Sequence, residues 1–183
     1  MSAWRWVSFD DLSLIQLIVE RGADAVKALP EALRRKEQAA AETIENNVRR
    51  LIVDESPINP KYYERMSELL DALIEQRKQD ALGYQEYLEK IVELTRPAKQ
   101  GPKTGDYPRS LNTPALRALH DNLGRDEALA LKVDAAVRAS MMDGWRENRM
   151  KTRRVRHAIG AALGEDEALV ERTLELVKNQ NDY

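Results

Sequence analysis

A chain of 183 residues and 20.9 kDa is long enough for one domain of ordinary size or two small ones. It holds no cysteine, 33% charged and only 5% aromatic residues. That excludes a disulfide scaffold, a thiolate metal site and a Cys nucleophile, and it disfavours a β-sandwich or barrel. The net charge of −2 excludes bulk electrostatic adhesion to DNA but leaves room for a local basic patch. No apolar run approaches the roughly 18 residues of a membrane span, and no secretion signal opens the chain, so a cytoplasmic protein is expected.

The first helix is expected to start at Ser8 as cap, with Asp10 and Asp11 in its first turn, and to end before Gly22. Phe9, Leu12, Leu14, Ile15, Leu17, Ile18 and Val19 make it apolar on nearly every side, so it is expected to be buried or to face another protein. Residues 30–53 read as one long charged helix starting near Pro30. Its first half is exposed, and its apolar stripe is clear only at Ile44, Val48, Leu51 and Ile52. Asp54 to Ile58 reads as a loop, after which Asn59 caps and Pro60 opens the next helix. From Pro60 to about Gln79, Tyr62, Met66, Leu69, Leu70, Leu73 and Ile74 fall on one stripe. Tyr84, Tyr87, Leu88, Ile91 and Val92 form a second stripe after Gly83, and the short link predicts antiparallel neighbours.

Pro97, Gly101, Pro102, Gly105 and Pro108 make 97–111 a solvated loop between two groups of helices. Beyond it lies a weak repeat: ALHDNLGRDEAL at 118–129 and AIGAALGEDEAL at 158–169. In each, a helix ends at a glycine (Gly124, Gly164) and another opens on Asp-Glu (Asp126-Glu127, Asp166-Glu167). Either one turn chemistry is used twice, or two similar helical hairpins pack together. The last helix is expected over 166–180, with Leu169, Val170, Thr173, Leu174 and Val177 on one face. No segment shows the period of a strand. The fold expected is all-α: roughly eight helices in a multi-helix bundle, with groups 1–96 and 112–183 joined by the loop 97–111.

The residues do not assemble a reaction. Gly101-Pro-Lys-Thr-Gly105 resembles a phosphate loop only faintly: Pro97 and Pro102 stand where the motif needs glycine, and a helix rather than a strand precedes it. The acid pairs at 10–11, 126–127 and 166–167 sit where helix starts favour negative charge, and Asp54/Glu55 has no lysine spaced for a nuclease site. His120 and His157 stand apart without zinc-type partners and read as surface residues. One segment stands out. From Trp145 to His157, Arg146, Arg149, Lys151, Arg153, Arg154 and Arg156 face the single anion Glu147. Such a density can neutralise phosphates, with Asn148 and Thr152 as donors. It can equally be a solvated helix face over Val155, Ile159 and Leu163, balanced by Glu165, Asp166, Glu167, Glu171 and Glu175.

Several long stretches carry a family likeness. Glu42 to Lys78 (ETIENNVRRLIVDESPINPKYYERMSELLDALIEQRK) resembles the C-terminal part of type I restriction endonuclease R subunits. So do FDDLSLIQLIVERG (9–22), SLNTPALRALHDNLG (110–124), Asp143-Gly-Trp-Arg146 with Val155-Arg156, and the closing LELVKNQNDY (174–183). In that family the R subunit carries a nuclease domain, a helicase-like motor that hydrolyses ATP, and a C-terminal helical region. It joins a core of methyltransferase and specificity subunits. The resemblance implies that this chain is a non-catalytic assembly domain that docks the translocase and endonuclease onto that core. ATP and magnesium would belong to other domains of the R subunit, since no Walker loop, motor acid box or nuclease motif is present here. The candidate partner contacts are Tyr62, Tyr63, Trp145, Arg146 and Arg149, because aromatic and Arg anchors dominate interfaces. The rival reading is duplex DNA contact through 146–156, adding Lys151, Arg153, Arg154 and Arg156.

Overall fold

The computed structural model describes residues 11–164 and 166–183, and all of their regular structure is helical. Nine α-helices follow one another: α1 Asp11–Arg21, α2 Glu31–Arg34, α3 Glu37–Glu55, α4 Pro60–Lys78, α5 Tyr84–Gln100, α6 Pro114–Asn122, α7 Glu127–Ser140, α8 Arg149–Leu163 and α9 Glu167–Lys178. Among the described residues no helix is long and apolar enough to cross a membrane. The expected Ser8 cap, Phe9, Asp10 and Glu165 lie outside the described residues.

The chain divides into two compact units. One gathers the residues up to Asp54 with Arg65–Gly101, and the other gathers Glu55–Glu64 with Pro102–Tyr183. The division therefore falls at Gly101–Pro102 rather than at 97, and residues 55–64 group with the C-terminal helices. Two physical causes account for the shift. Pro97 sits in the last turn of α5, where its ring forfeits a single N–H, and Gly101 N–H donates to the Pro97 carbonyl at 2.9 Å to close the helix. Segment 55–64 is tied to α6 and to the chain terminus by the hydrogen bonds described below.

In the first unit, α1 buries Leu14, Ile15 and Ile18 and packs on α5 and on the 3-10 turn Gly22–Ala28. The expected single helix from Pro30 is two. Lys36 N–H closes on the Leu33 carbonyl at 3.1 Å, and the helix restarts as Ala40 N–H reaches the Lys36 carbonyl at 3.0 Å. Residues 31–38 bury no side chain, so packing does not hold α2 in line with α3, and three successive cations, Arg34 to Lys36, repel at the break. Farther along, α3 buries Ala40, Ala41, Ile44, Val48, Leu51 and Ile52, and it runs to Glu55 before a 3-10 turn Ser56–Ile58 replaces the expected loop. On α4 the buried stripe is Tyr63, Met66, Leu70 and Leu73, while Leu69 stands 47% exposed. The stripe is rotated from the sequence expectation because Tyr63, not Tyr62, points inward. Within this unit, Met66, Leu69 and Gln76 of α4 share a groove with Lys90, Leu94 and Pro97 of α5.

In the second unit, α6 packs on α7, α7 on α8, α8 on α9, and α9 returns to α6. The core is Leu111, Leu119, Val133, Val137, Trp145, Val155, Ile159, Leu174 and Val177. This is the arrangement of two hairpins packed together, α6–α7 and α8–α9. Both turns pair a positive-φ glycine with an aspartate N-cap, though Gly164 is itself the C-cap of α8, whereas α6 is capped by Leu123 and its turn also holds Arg125 at φ 62°. Gly124 and Gly164 adopt φ of 73° and 92°, a region that side-chain-bearing residues avoid. Asp126 and Asp166 then accept the Leu129 and Leu169 N–H at 2.9 and 3.0 Å.

Candidate functional site

The arginine-rich segment enters α8 through a turn that buries its one aromatic residue. Trp145 is 3% exposed and belongs to the core of the second unit, so it is not a surface anchor. Asn148 is the N-cap of α8: its Oδ1 accepts from the N–H of Met150 at 3.0 Å and of Lys151 at 3.2 Å. Thr152 donates its hydroxyl to the Trp145 carbonyl at 2.6 Å. Both side chains, expected as donors to phosphate, thus serve the helix start.

The cations divide sharply. Arg146 lies over the Trp145 ring, 4.8 Å from its centroid. Its Nε donates to the Lys178 carbonyl at 2.9 Å and its Nη2 to the Gln180 carbonyl at 2.7 Å. These acceptors lie at the C-terminal end of α9, where carbonyls lack helical partners and cations are favoured. Lys151 donates to the Asp143 carbonyl at 2.6 Å, and Arg154 reaches the Met142 sulfur at 3.8 Å. Arg156 pairs with both Glu167 and Glu171 of α9. The hydrogen bond to Glu171, with the charges of both carboxylates, raises its guanidinium above the ordinary range. The expected balance from acidic α9 is therefore real at Arg156. Arg149 and Arg153 remain: both are exposed, one turn apart on α8, and neither has a hydrogen-bond or ion-pair partner among the described residues. Together with Arg146, Glu147, Thr152 and Arg156 they line an open concavity of about 630 Å³.

The tyrosine candidates behave differently. Tyr63 is buried, with its ring edge-on to Tyr62 at 5.1 Å, and burial pushes its hydroxyl pKa above the usual tyrosine range. Tyr62 is half-buried. Tyr63 is thus a core residue and leaves the list of partner contacts.

Sequence reasoning missed the buried polar networks. In the first unit, Arg77 grips Glu45 with both arms, at 2.7 and 3.1 Å, and Tyr87 donates to the same carboxylate at 2.8 Å. In the second, Asp121 Oδ2 accepts from Asn59 Nδ2 at 2.8 Å and from the Tyr107 hydroxyl at 2.6 Å. Asn122 Nδ2 donates to Asn59 Oδ1 at 2.8 Å, and Gln180 Nε2 donates to the Ile58 carbonyl at 2.7 Å. Asp182 accepts the Ala115 N–H at 2.8 Å in the first turn of α6. His120, expected at the surface, is mostly enclosed: Nδ1 lies 3.5 Å from Asp121 Oδ1, and the ring meets Tyr107 edge-on at 5.7 Å. The polar spacing of Glu45, Arg77 and Tyr87 holds no local signal, because its members are 32 and 42 residues apart. Asn59 beside Pro60 was legible as a cap, and it does accept the Tyr62 N–H at 3.4 Å. Its second role toward Asp121 was not legible.

Beside these networks, an apolar groove of about 570 Å³ opens between the start of α4 and α9, with Pro57, Pro60, Leu169, Thr173 and Leu176 among its lining. Among the described residues no three His, Asp or Glu side chains come together as metal ligands. Comparison of the chain with protein-family models, with curated proteins and with solved structures finds no match.

Proposed function

We propose that this chain is the helical assembly domain of a type I restriction enzyme R subunit, joining the motor and nuclease part to the methyltransferase–specificity core in the cytoplasm. The observation that carries the reading is how the family-like segments meet. Asn59, from the stretch 42–78, bonds to Asp121 and Asn122, from the stretch 110–124. Arg146, from the Asp143–Arg146 turn, bonds to Lys178 and Gln180 in the closing stretch. Gln180 in turn bonds to Ile58, and Asp182 to Ala115. The residues on which the resemblance rests are thus engaged with one another, as the parts of a scaffold are. A domain whose distinctive polar residues are bonded to one another as struts suits a role in holding other parts rather than in chemistry. No reaction is assigned to it, and ATP and magnesium belong to the rest of the R subunit.

The experiment is displacement. An assembled complex of R subunit with its methyltransferase–specificity core is challenged with this chain in excess, and free R subunit is read by size-exclusion chromatography. Release of R supports the reading. Retention of R at a large excess contradicts it.

A further inference from the structure

We propose that the concavity on α8 binds the phosphate backbone of duplex DNA through Arg149 and Arg153. The site stands independently of the docking role. Of the six cations between 146 and 156, four are engaged within the second unit: Arg146 on carbonyls of the last helix, Lys151 on Asp143, Arg154 on Met142 and Arg156 on two glutamates. The two that remain project from the same side of α8, one turn apart, so their anchor points lie about 6 Å apart along the helix. A guanidinium presents a planar fork that matches phosphate oxygens in a bidentate way. Two such forks in register call for a ligand with anions repeated at short intervals, which a nucleic-acid backbone supplies along its whole length.

The lining also says what the ligand is not. Trp145 is buried, and no aromatic side chain among the described residues lines the concavity. Single-stranded nucleic acid is held by bases stacking on exposed aromatic rings, and this lining offers none. Glu147 lines the concavity and opposes any anion, while Arg156 holds Glu167 and Glu171. With all three carboxylates counted, the four lining arginines, Arg146, Arg149, Arg153 and Arg156, still leave the face positive. Lacking donors aimed at base edges, the site reads backbone and not sequence.

The test is fluorescence anisotropy of the full chain with a short labelled duplex of mixed sequence, repeated with a single strand and with polyglutamate as competitor. Two phosphate contacts give a log–log salt slope of about −1.8, so affinity falls about 12-fold between roughly 50 and 200 mM salt. The variant Arg149→Gln/Arg153→Gln loses at least about tenfold in affinity and its slope collapses toward zero. Arg149→Lys/Arg153→Lys keeps the slope. Lys99→Gln/Lys103→Gln, which removes two exposed cations elsewhere, binds as the unaltered chain does. The substituted arginines have no partners, so circular dichroism of both arginine variants stays unchanged. Undiminished duplex binding by the Gln variant overturns the proposal. Tighter binding to the single strand, or equal displacement by polyglutamate, overturns the assignment to duplex DNA.

Discussion

Arg146 Nη2 donates to the Gln180 carbonyl at 2.7 Å, and through this bond the most basic turn of the sequence fastens the end of its last helix. Arg149, three residues on, has no partner among the described residues. Two arginines that read alike in sequence therefore predict different outcomes. Arg146→Ala removes two charge-assisted hydrogen bonds and the stacking on Trp145, and is expected to cost about 1–3 kcal/mol. Arg149→Ala is expected to stay within about 0.5 kcal/mol of the parent. Urea denaturation followed by circular dichroism checks both. Equal midpoints for the two variants would contradict the assignment.

Glu45 and Arg77 form a nearly buried, two-armed pair beneath Tyr87. Removing one partner leaves the other charge enclosed, so Glu45→Ala is expected to destabilise by about 3–5 kcal/mol. The double replacement Glu45→Leu/Arg77→Met is expected to recover most of that loss, because it removes both desolvated charges. A double variant no more stable than Glu45→Ala, measured by the same denaturation, would show that the network is worth more than its charges.

The two Gly-x-Asp turns are expected to respond in parallel. Asp126→Ala and Asp166→Ala each lose an N-cap and cost about 1 kcal/mol. Gly124→Ala and Gly164→Ala cost about 1 kcal/mol through backbone conformation alone, since a Cβ at either position meets open space. Thermal melts of the four variants check this. A cost at one turn without the matching cost at the other would show that the hairpins are not equivalent.

Four tyrosines set the alkaline limit. Burial is the largest cause raising the hydroxyls of Tyr63, Tyr87, Tyr107 and Tyr183 above their ordinary pKa of about 10. For Tyr87, Tyr107 and Tyr183 a donated hydrogen bond to Glu45, Asp121 or Asp134 adds to the effect. In the unfolded chain these groups lose protons near pH 10, while in the folded chain they keep them. The contribution to stability is therefore complete below about pH 10 and declines as pH rises toward the folded values. Tyrosinate absorbance is expected to rise together with loss of helix as these residues titrate. A smooth tyrosinate titration with helix content intact would contradict their burial.

Much of the fold was legible because it rests on local rules. Pro60 after Asn59, the Gly and Asp pairs at 124–126 and 164–166, and the stripe ending in Leu174 and Val177 all act within a turn or two of themselves. What escaped was decided at a distance. The run of cations from Arg34 to Lys36 hints at a weak point but does not place the separation of α2 from α3, which also depends on packing that the first turn lacks. The one-residue shift from Tyr62 to Tyr63 moved a candidate contact into the core, because helical spacing alone leaves the centre of an apolar stripe undefined by one position. The basic segment was legible as a charge cluster, but its division was not. Which arginines are free depends on carbonyls and carboxylates 11 to 34 residues away.

The proposed docking on a methyltransferase–specificity core is tested by calorimetric titration of the chain into that core without DNA. Saturable binding at one chain per docking position is expected, unchanged by Arg149→Gln/Arg153→Gln. Absence of heat and of co-elution with the core, for a chain that folds and melts cooperatively, would contradict it.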